Sequence, residues 1–258
     1  MAHSNDLIAQ RRRNWCQTPE SRVPDPEAAA EFINRVGIAT LFPVSSEIPN
    51  LFHAYVGDPE AQTDSKWDSP SGHVYTWRWA LGKRDAAFYS AVVRKKPTWV
   101  SWALLPAVLR LFGELRLPEE LYAAGELSHA AYRIAGALSE AGGVLSTGEL
   151  RRLAGFPTGK DQRAAYLKAI EQLDARLLLA KVFSSDESET DMSHALVRLR
   201  YPEAVAAAER LTREDALDAF LRTYREAAAY VDTRTLGKQL RIPEDELKAG
   251  LERLPSRD

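Results

Sequence analysis

The sequence predicts a mainly helical α+β protein with small β-hairpins, built from tandem winged helix-turn-helix units. Two observations support this fold class. Several segments repeat apolar residues at the spacing of amphipathic helices, and glycine or proline separates them. Residues 127–201 add two apolar strand-like runs on either side of a polar tip. The chain has 258 residues, which is enough for two small domains or one large one.

The segment 127–201 follows the order helix, short helix, longer helix, strand, strand. Ser128 can cap the first helix, because its hydroxyl can accept a hydrogen bond from a free amide in the first turn. Gly142 ends that helix, since glycine adopts left-handed backbone angles cheaply. Ser146 and Glu149 have the spacing of a capping box at the start of the second helix. This order is typical of a winged helix-turn-helix, which often places its third helix in the major groove of DNA.

The third helix is expected over residues 161–175, with strands over 177–183 and 195–201. One face of this helix is expected to be partly buried and to carry Ala165, Leu167, Ile170 and Leu173. The other face carries the charged residues Lys160, Arg163, Lys168 and Glu171. The cations of the second and third helices are candidates for phosphate contacts, namely Arg151, Arg152, Lys160, Arg163 and Lys168.

The tip between the two strands, residues 184–194, is acidic. It contains no Lys or Arg, and its carboxylates are Asp186, Glu187, Glu189 and Asp191. A wing that lies on phosphates is expected to be basic, because phosphate neutralisation supplies most of the non-specific affinity for DNA. This tip is therefore expected to point away from DNA or to contact a protein partner.

Composition restricts the remaining classes of protein. The net charge of −2 gives no global basic field, so any DNA contact must come from a local patch. Cys16 is the only cysteine, which excludes an internal disulfide and a cysteine-based zinc site and fits a reducing compartment. No apolar run reaches the roughly eighteen residues of a membrane span. We therefore expect a cytoplasmic protein that does not contact a membrane.

The chain is expected to have four parts. They are a flexible leader (1–25), a winged-helix-like α+β domain (26–120), the winged helix-turn-helix (121–202) and a helical unit with helix-turn-helix order (203–258). The second part is expected to contain a helix over 26–36 closed by Gly37, an aromatic strand over 74–81, a helix over 83–95 and a helix over 104–112 interrupted at Pro106.

The window 66–110 combines basic and aromatic residues, with Asp68 and Asp85 as its acidic ones. Basic groups can neutralise phosphates, and exposed aromatic faces can stack on unpaired bases. Most of the aromatic side chains are nevertheless expected to pack in the core, with Trp77 and Trp79 as a buried pair on one strand face. The candidate DNA-binding residues of this window are Arg78, Lys83, Arg84, Arg94, Lys95 and Lys96.

No motif indicates metal, nucleotide or serine chemistry. The five histidines are scattered, with no pair at ligand spacing on one helix. The sequence also contains no phosphate-binding glycine loop and no nucleophile elbow. We therefore expect neither a metal nor a cofactor.

The layout resembles the bacterial DNA glycosylases that unhook interstrand crosslinks, which are built from tandem winged helices. The resemblance rests on the helix that ends in a glycine before a short apolar strand (32–44), the aromatic segment 77–79, the module 127–201 and the helix-turn-helix 233–254. In that family, a Gln followed two residues later by Gln or Asp carries catalysis. With Gly37 as the matching glycine, the corresponding positions are Thr40 and Phe42, and neither can position or deprotonate a water.

The resemblance implies a protein that binds double-stranded DNA and that lacks, or has altered, the catalytic polar pair. One alternative is an active DNA glycosylase on alkylated or crosslinked bases, in which Glu47 or Asp58 activates the water. Asp58 can equally be a solvated turn carboxylate. A second alternative is a transcription regulator or protein-docking module. Whether the protein is an enzyme stays open at this point.

Overall fold

A computed structural model describes residues 2–156, 159–184 and 192–255. Helices dominate, and the strands form a three-stranded and a two-stranded antiparallel sheet. The mainly helical α+β class expected from the sequence is confirmed, and the tandem winged-helix organisation stays a prediction. Within the described residues, no helix is both long enough and apolar enough to cross a membrane.

The chain divides into two compact units. Unit 1 comprises Met1–Val108 and Leu211–Asp258, and unit 2 comprises Leu109–Arg210. The expected parts 26–120, 121–202 and 203–258 stay predictions of folding units. The division seen in the structure differs from them, because residues 203–210 belong to unit 2 and residues from 211 onward belong to unit 1.

The elements follow one another in a simple order. Unit 1 begins with α1 (Ala2–Asn14), α2 (Pro26–Val36), β1 (Ile38–Thr40), α3 (Leu51–Val56), α4 (Pro70–Lys83), β2 (Phe88–Ser90) and β3 (Thr98–Val100). The boundary between the units falls inside α5 (Leu105–Phe112). Unit 2 contains α6 (Pro118–Ala123), α7 (His129–Ala141), α8 (Thr147–Leu153), α9 (Lys160–Asp174), β4 (Leu179–Phe183), β5 (Met192–Leu196), α10 (Val197–Arg200) and α11 (Pro202–Arg210). Unit 1 is completed by α12 (Arg213–Ala228), α13 (Thr233–Leu240) and α14 (Glu244–Arg253).

Helix α2 and the strand after it form as the local sequence predicts. The Asp25 side chain accepts hydrogen bonds from the amides of Glu27 (3.0 Å) and Ala28 (2.9 Å). Gly37 ends the helix at a φ of +77°, in the region where glycine has no steric penalty. The chain then enters β1, which pairs with the central strand β3, and β3 pairs on its other side with β2. This small sheet is buried on all three strands.

Residues 2–25 do not form the flexible leader expected for 1–25. Helix α1 packs against α12, and Arg11, Trp15 and Cys16 at its C-terminal end are all buried. Burial raises the pKa of the Cys16 thiol, against the opposing effect of Arg35, which donates a hydrogen bond to its sulfur (3.0 Å). Within the arginine triplet 11–13, Arg11 is buried while Arg12 and Arg13 are exposed.

Two predicted elements of unit 1 are wrong. Residues 74–81 are not a strand but the middle of α4, which Ser69 caps and Pro70 opens. Trp77 and Trp79 therefore do not share a face, and only Trp77 is buried. The expected helix over 83–95 is replaced by the end of α4, by β2 and by a turn. Pro106 does not interrupt α5, because it lies in the first turn, where proline is tolerated.

Unit 2 contains the three helices and two strands expected for residues 127–201. Ser128 caps α7, Gly142 ends it at a φ of +63°, and Ser146 and Glu149 form the capping box of α8. Strands β4 and β5 pair antiparallel from Leu179–Leu196 to Phe183–Met192. An isolated bridge joins Leu145 to His194, so the segment between α7 and α8 contacts the hairpin.

Two details of unit 2 differ from the sequence predictions, and a third prediction is not tested. The buried face of α9 carries Tyr166, Ala169 and Leu173, whereas Ala165 and Leu167 are exposed. The second strand begins earlier than expected and ends at Leu196, where α10 takes over the segment that the apolar pattern assigned to a strand. The acidic residues Asp186, Glu187, Glu189 and Asp191 lie outside the described residues.

His194 in β5 makes the stability of unit 2 sensitive to pH. Its side chain is buried, and its Nδ1 has no hydrogen-bond partner among the described residues. Burial lowers the pKa of His194 below its ordinary value of 6.5, against the opposing effect of Asp174 and with the help of Lys181. The unfolded chain therefore takes up a proton first as the pH falls, so stability is lost below about pH 6.5.

We expect His194→Gln to flatten this pH dependence, because the amide has a similar size and does not titrate. Thermal unfolding followed by circular dichroism between pH 7.5 and 5 measures the effect. The wild-type midpoint should fall more steeply than that of the variant. Equal pH slopes for the two proteins would contradict the assignment of the effect to His194.

Candidate nucleic-acid interface

Helix α8 is the second helix of the predicted helix-turn-helix in residues 127–201, and two reciprocal hydrogen bonds of a capping box fix its start. The Ser146 hydroxyl donates to Glu149 Oε2 (2.7 Å), and the Glu149 amide donates to Ser146 Oγ (3.3 Å). The two candidate cations of this helix differ in environment. Arg151 is half-buried, with its guanidinium 5.7 Å from the Tyr166 ring centre, whereas Arg152 is exposed. Burial raises the pKa of Tyr166 to about 12, so this phenol stays neutral beside Arg151.

The third helix, α9, presents a cationic face. Lys160, Arg163 and Lys168 are all exposed, and their side chains form no hydrogen bond or ion pair with the described residues. Leu167 lies among them and is 53% exposed. Residues 160, 163 and 167 recur at helical spacing and share one face. This part of α9 therefore presents exposed positive charges near an apolar side chain, with the exposed carboxylate of Glu171 one helical turn beyond Leu167.

The second group of candidate cations lies in unit 1, in the segment 78–96. Arg78 is held tightly on α4, with its guanidinium 3.9 Å from the ring centre of Tyr75 and 3.8 Å from that of Trp79. It also donates to the Tyr75 hydroxyl (2.5 Å). Arg84 follows at the end of the helix, where it is exposed and reaches Glu27 at 3.9 Å. Such an exposed ion pair is weak, so Arg84 stays available to an anion.

The remaining cations of the segment lie in a tight turn before β3. Arg94 and Lys95 adopt positive φ angles of 48° and 60°, and the Lys96 amide donates to the carbonyl of Val93 (2.8 Å). All three side chains are exposed. The turn therefore presents three consecutive cations in a defined backbone conformation. Lys83, the last candidate of the segment, is half-buried at the C-terminus of α4.

The predicted cations thus form two groups, one in each unit. Arg78, Lys83 and Arg84 lie on or just after α4 and Arg94 to Lys96 lie in the turn of unit 1, while the cations of α8 and α9 belong to unit 2.

The positions that correspond to the catalytic pair carry no acid or amide. Thr40 is fully buried in β1, and its hydroxyl donates to the carbonyl of Phe42 (2.8 Å). The Phe42 ring lies 6.1 Å from that of Phe52. A shift of the alignment by a residue or two does not change this result. No residue from Ile38 to Ser46 carries a carboxylate or a carboxamide.

Glu47, the nearest carboxylate, is enclosed in a buried network. Its Oε1 accepts from Arg11, and its Oε2 accepts from Arg11 (3.0 Å), from the Tyr224 hydroxyl (2.8 Å) and from the Asp232 amide (3.2 Å). The residue is 2% exposed. Burial and the charge of Glu47 raise the pKa of Tyr224 well above its ordinary value, which keeps this hydroxyl a donor. The network engages both oxygens of Glu47, so this carboxylate is not free to activate a water.

A cavity of about 550 Å³ lies beside the segment that follows β1. Its lining includes Gln17, Ser45, Ser46 and His53, with Glu60 as its carboxylate. Burial lowers the pKa of His53, which favours the neutral ring. Its Nε2 lies at hydrogen-bond distance, 3.2 Å, from the carbonyl of Ala61. Asp58 is not part of this lining. It is exposed and its Oδ1 accepts from the Glu60 amide (2.9 Å), as a turn carboxylate does.

Sequence reasoning missed the partner of Glu47. Arg11 is 4% exposed and also donates to the carbonyls of Ala228 (2.9 Å) and Tyr230 (2.6 Å). Its guanidinium lies 3.4 Å from the Tyr230 ring centre. The first arginine of a triplet in a polar helix gives no local signal of burial, because its partners lie far along the chain.

A family model described as AlkZ related matches residues 23–241. The chain belongs to this family. Among solved structures, the Streptomyces sahachiroi DNA glycosylase AlkZ is similar, with a TM-score of 0.53 and 14% sequence identity over 94% of this chain. The chain spans 64% of the length of that AlkZ chain. None of the curated proteins matches it in sequence. The resemblance to this group of DNA glycosylases is therefore confirmed for family and fold.

Proposed function

We propose that this AlkZ-related protein binds duplex DNA without cleaving glycosidic bonds. The observation that carries the proposal is the exposed surface of α9, which presents Lys160, Arg163 and Lys168 together with the apolar Leu167 and with the carboxylate of Glu171. Cations that have no internal partner can neutralise phosphates, and an apolar side chain can contact the methyl group of thymine. The helix-turn-helix order of α8 and α9 supports placement of this face in a groove.

The turn 94–96, in unit 1, is a separate candidate for phosphate contacts. Its three exposed cations are consecutive, so together they can neutralise neighbouring phosphates. Phosphate contacts position a protein on the duplex without reading its sequence. We therefore propose that the turn contributes affinity for the phosphate backbone and that the α9 face orients the protein in the groove.

The local chemistry argues against catalysis. Hydrolysis of a glycosidic bond needs a group that positions or activates a water at the sugar carbon. The segment 38–46 contains no carboxylate or carboxamide that could do so. Glu47 accepts hydrogen bonds from Arg11 and Tyr224, and Asp58 accepts one from the backbone of its own turn. The similarity to AlkZ supports a shared DNA-holding fold, from which the reaction has been lost.

Salt-dependent binding tests the proposal. Fluorescence anisotropy with a mixed-sequence duplex at several salt concentrations should give a steep decrease of affinity with salt. We expect the triple variants Lys160→Ala/Arg163→Ala/Lys168→Ala and Arg94→Ala/Lys95→Ala/Lys96→Ala each to reduce the slope of log K against log salt by about 2 to 3, since each lost phosphate contact contributes about 0.9.

A matched control separates local contacts from net charge. The variant Arg12→Ala/Arg13→Ala/Arg22→Ala removes the same charge from exposed positions elsewhere in unit 1 and should leave the slope unchanged. An equal effect of the control, or no binding of the wild type at low salt, would overturn the proposal. Release of a free base from alkylated duplex by the wild type, lost on Glu47→Gln or Asp58→Asn, would instead establish an active glycosylase.

A further inference from the structure

Trp67 is the most exposed large apolar side chain among the described residues, at 67%. The other tryptophans are buried or half-buried. A single exposed apolar residue is common on protein surfaces and needs no functional explanation by itself. The backbone that presents Trp67, however, is held by a dense set of hydrogen bonds.

The turn 64–69 before α4 is closed on itself. Asp64 Oδ1 accepts from the Lys66 amide (2.9 Å) and from the Ser69 hydroxyl (2.5 Å), and these bonds hold the pKa of Asp64 below its ordinary value. The Asp64 amide donates to Ser71 Oγ (3.0 Å). Ser69 Oγ in turn accepts from the Gly72 amide (3.3 Å). Trp67 therefore lies on a preformed turn rather than on a loose loop.

Gly72 allows the turn to lie directly on the helix. A Cβ atom at this position would be only 1.9 Å from the carbonyl oxygen of Trp67 and 2.9 Å from that of Lys66. The backbone of the turn thus touches the backbone of α4, which fixes the point from which the indole projects. A rigid aromatic side chain loses little conformational entropy when it binds a partner.

The indole continues into a row of aromatic rings along α4. The rings of Trp67 and Tyr75 meet edge to face at 6.0 Å, and those of Tyr75 and Trp79 do so at 5.4 Å. Tyr75 and Trp79 are one helical turn apart and are half-buried. Arg78 lies across both of these rings and adds a positive charge to the row.

We propose that Trp67, Tyr75 and Trp79, with Arg78, form a platform on which an unpaired nucleotide of DNA stacks. The proposal rests on the proposed DNA binding and extends it to single-stranded or distorted sites. Stacking of a base on an aromatic ring is independent of sequence, because every base has a π face. The exposed indole is the part of the platform that a base can reach.

The charges around the platform favour a nucleic acid over an apolar partner. Lys66 is exposed next to Trp67 in sequence, and Arg78 lies over Tyr75 and Trp79, so both cations are candidates to neutralise the phosphates beside a stacked base. Of the two carboxylates of the turn, Asp64 is engaged internally, and Asp68 is exposed next to Trp67. Removal of the Asp68 charge should therefore strengthen the binding of a nucleic acid and leave that of a neutral partner unchanged.

Binding of an unstructured oligothymidylate and of a blunt duplex tests the platform. Trp67→Ala should weaken binding of the oligothymidylate by roughly five- to a hundredfold and leave duplex binding unchanged, because stacking is lost while the cations remain. Trp67→Phe should retain part of the affinity, since it keeps a ring. Asp68→Asn should strengthen binding of the oligothymidylate. Quenching of tryptophan fluorescence by this oligonucleotide should decrease in Trp67→Phe.

Tyr122→Ala is the matched control, because it removes an exposed aromatic ring in unit 2 and should have no effect. Unchanged oligothymidylate binding by Trp67→Ala would overturn the platform, even if the duplex results support DNA binding. If the wild type binds the oligothymidylate through Trp67 but does not bind the duplex, the proposed function is overturned and the platform is not. A change of self-association with Trp67→Ala, measured by sedimentation, would assign the surface to a second copy of the chain.

Discussion

Replacing Arg11 by methionine is expected to lower the free energy of unfolding of unit 1 by about 3–5 kcal/mol. The substitution keeps much of the side-chain volume but leaves the Glu47 carboxylate buried without its counter-charge. Glu47 would retain the hydrogen bonds from Tyr224 and Asp232, which cannot compensate a full charge in this environment. The carbonyls of Ala228 and Tyr230 would also lose their donor.

Denaturant unfolding followed by tryptophan fluorescence measures this loss. The six tryptophans of the chain are Trp15, Trp67, Trp77, Trp79, Trp99 and Trp102. All of them belong to unit 1, so the signal reports that unit. Arg12→Met is the matched control, because it removes an exposed charge one residue away and should change stability by no more than about 0.5 kcal/mol.

A second variant shows whether charge is the cause. Glu47→Gln in the Arg11→Met background removes the uncompensated charge and keeps an oxygen that accepts from Tyr224 and Asp232. We expect the double variant to recover most of the lost stability. A loss below about 1 kcal/mol for Arg11→Met, or no recovery in the double variant, would show that the buried ion pair does not have the assigned role.

Gly37→Ala is expected to destabilise unit 1 by about 2–5 kcal/mol in total. Two costs combine at this position. The φ of +77° is unfavourable for any residue with a Cβ, at about 1–2 kcal/mol. The added Cβ would also lie 2.7 Å from Thr223 Cγ2 and 2.9 Å from Leu104 Cδ2, and such overpacking costs about 1–3 kcal/mol.

Gly142→Ala separates these two costs. Gly142 also ends a helix at a positive φ, +63°, but a Cβ at this position would meet nothing within 4 Å. It should therefore show the backbone cost alone, about 1–2 kcal/mol. Unit 2 contains no tryptophan, so circular dichroism follows this variant. Equal losses for the two variants would mean that the packing around Gly37 relaxes without cost.

The elements that the sequence predicts correctly are those with local end signals. Asp25 and Gly37 define α2, and Ser128, Gly142 and the Ser146–Glu149 box define α7 and α8. The signal for α4 was also present, as a serine followed by a proline at 69–70. The aromatic and β-branched residues of 74–81 nevertheless favour a strand in the sequence analysis. That prediction is wrong because such a composition reflects side-chain packing more than a preference of the backbone.

The candidate site is only partly predictable for a different reason. Exposure of Lys160, Arg163 and Lys168 follows from helical periodicity, and the structure agrees. The burial of Arg11 with Glu47 does not follow from any periodic pattern, because the groups that surround the pair are distant in sequence. Tyr224, for example, lies 177 residues after Glu47. The prominence of Trp67 depends on a turn whose hydrogen bonds involve the side chains of Asp64 and Ser69 in a specific conformation.

The division of unit 1 into two stretches of chain has a consequence for biosynthesis. Leu109–Arg210 leaves the ribosome before Leu211–Asp258, so unit 2 can complete its own core while unit 1 still lacks α12 to α14. During that interval Trp15 and Glu47 lack their contacts with Tyr224, and Glu47 also lacks the Asp232 amide. The slow step in forming the native protein is therefore expected to be the packing of α12 to α14 onto the N-terminal part of unit 1. This step closes a long loop of the chain, because residues 109–210 lie between the two stretches in sequence.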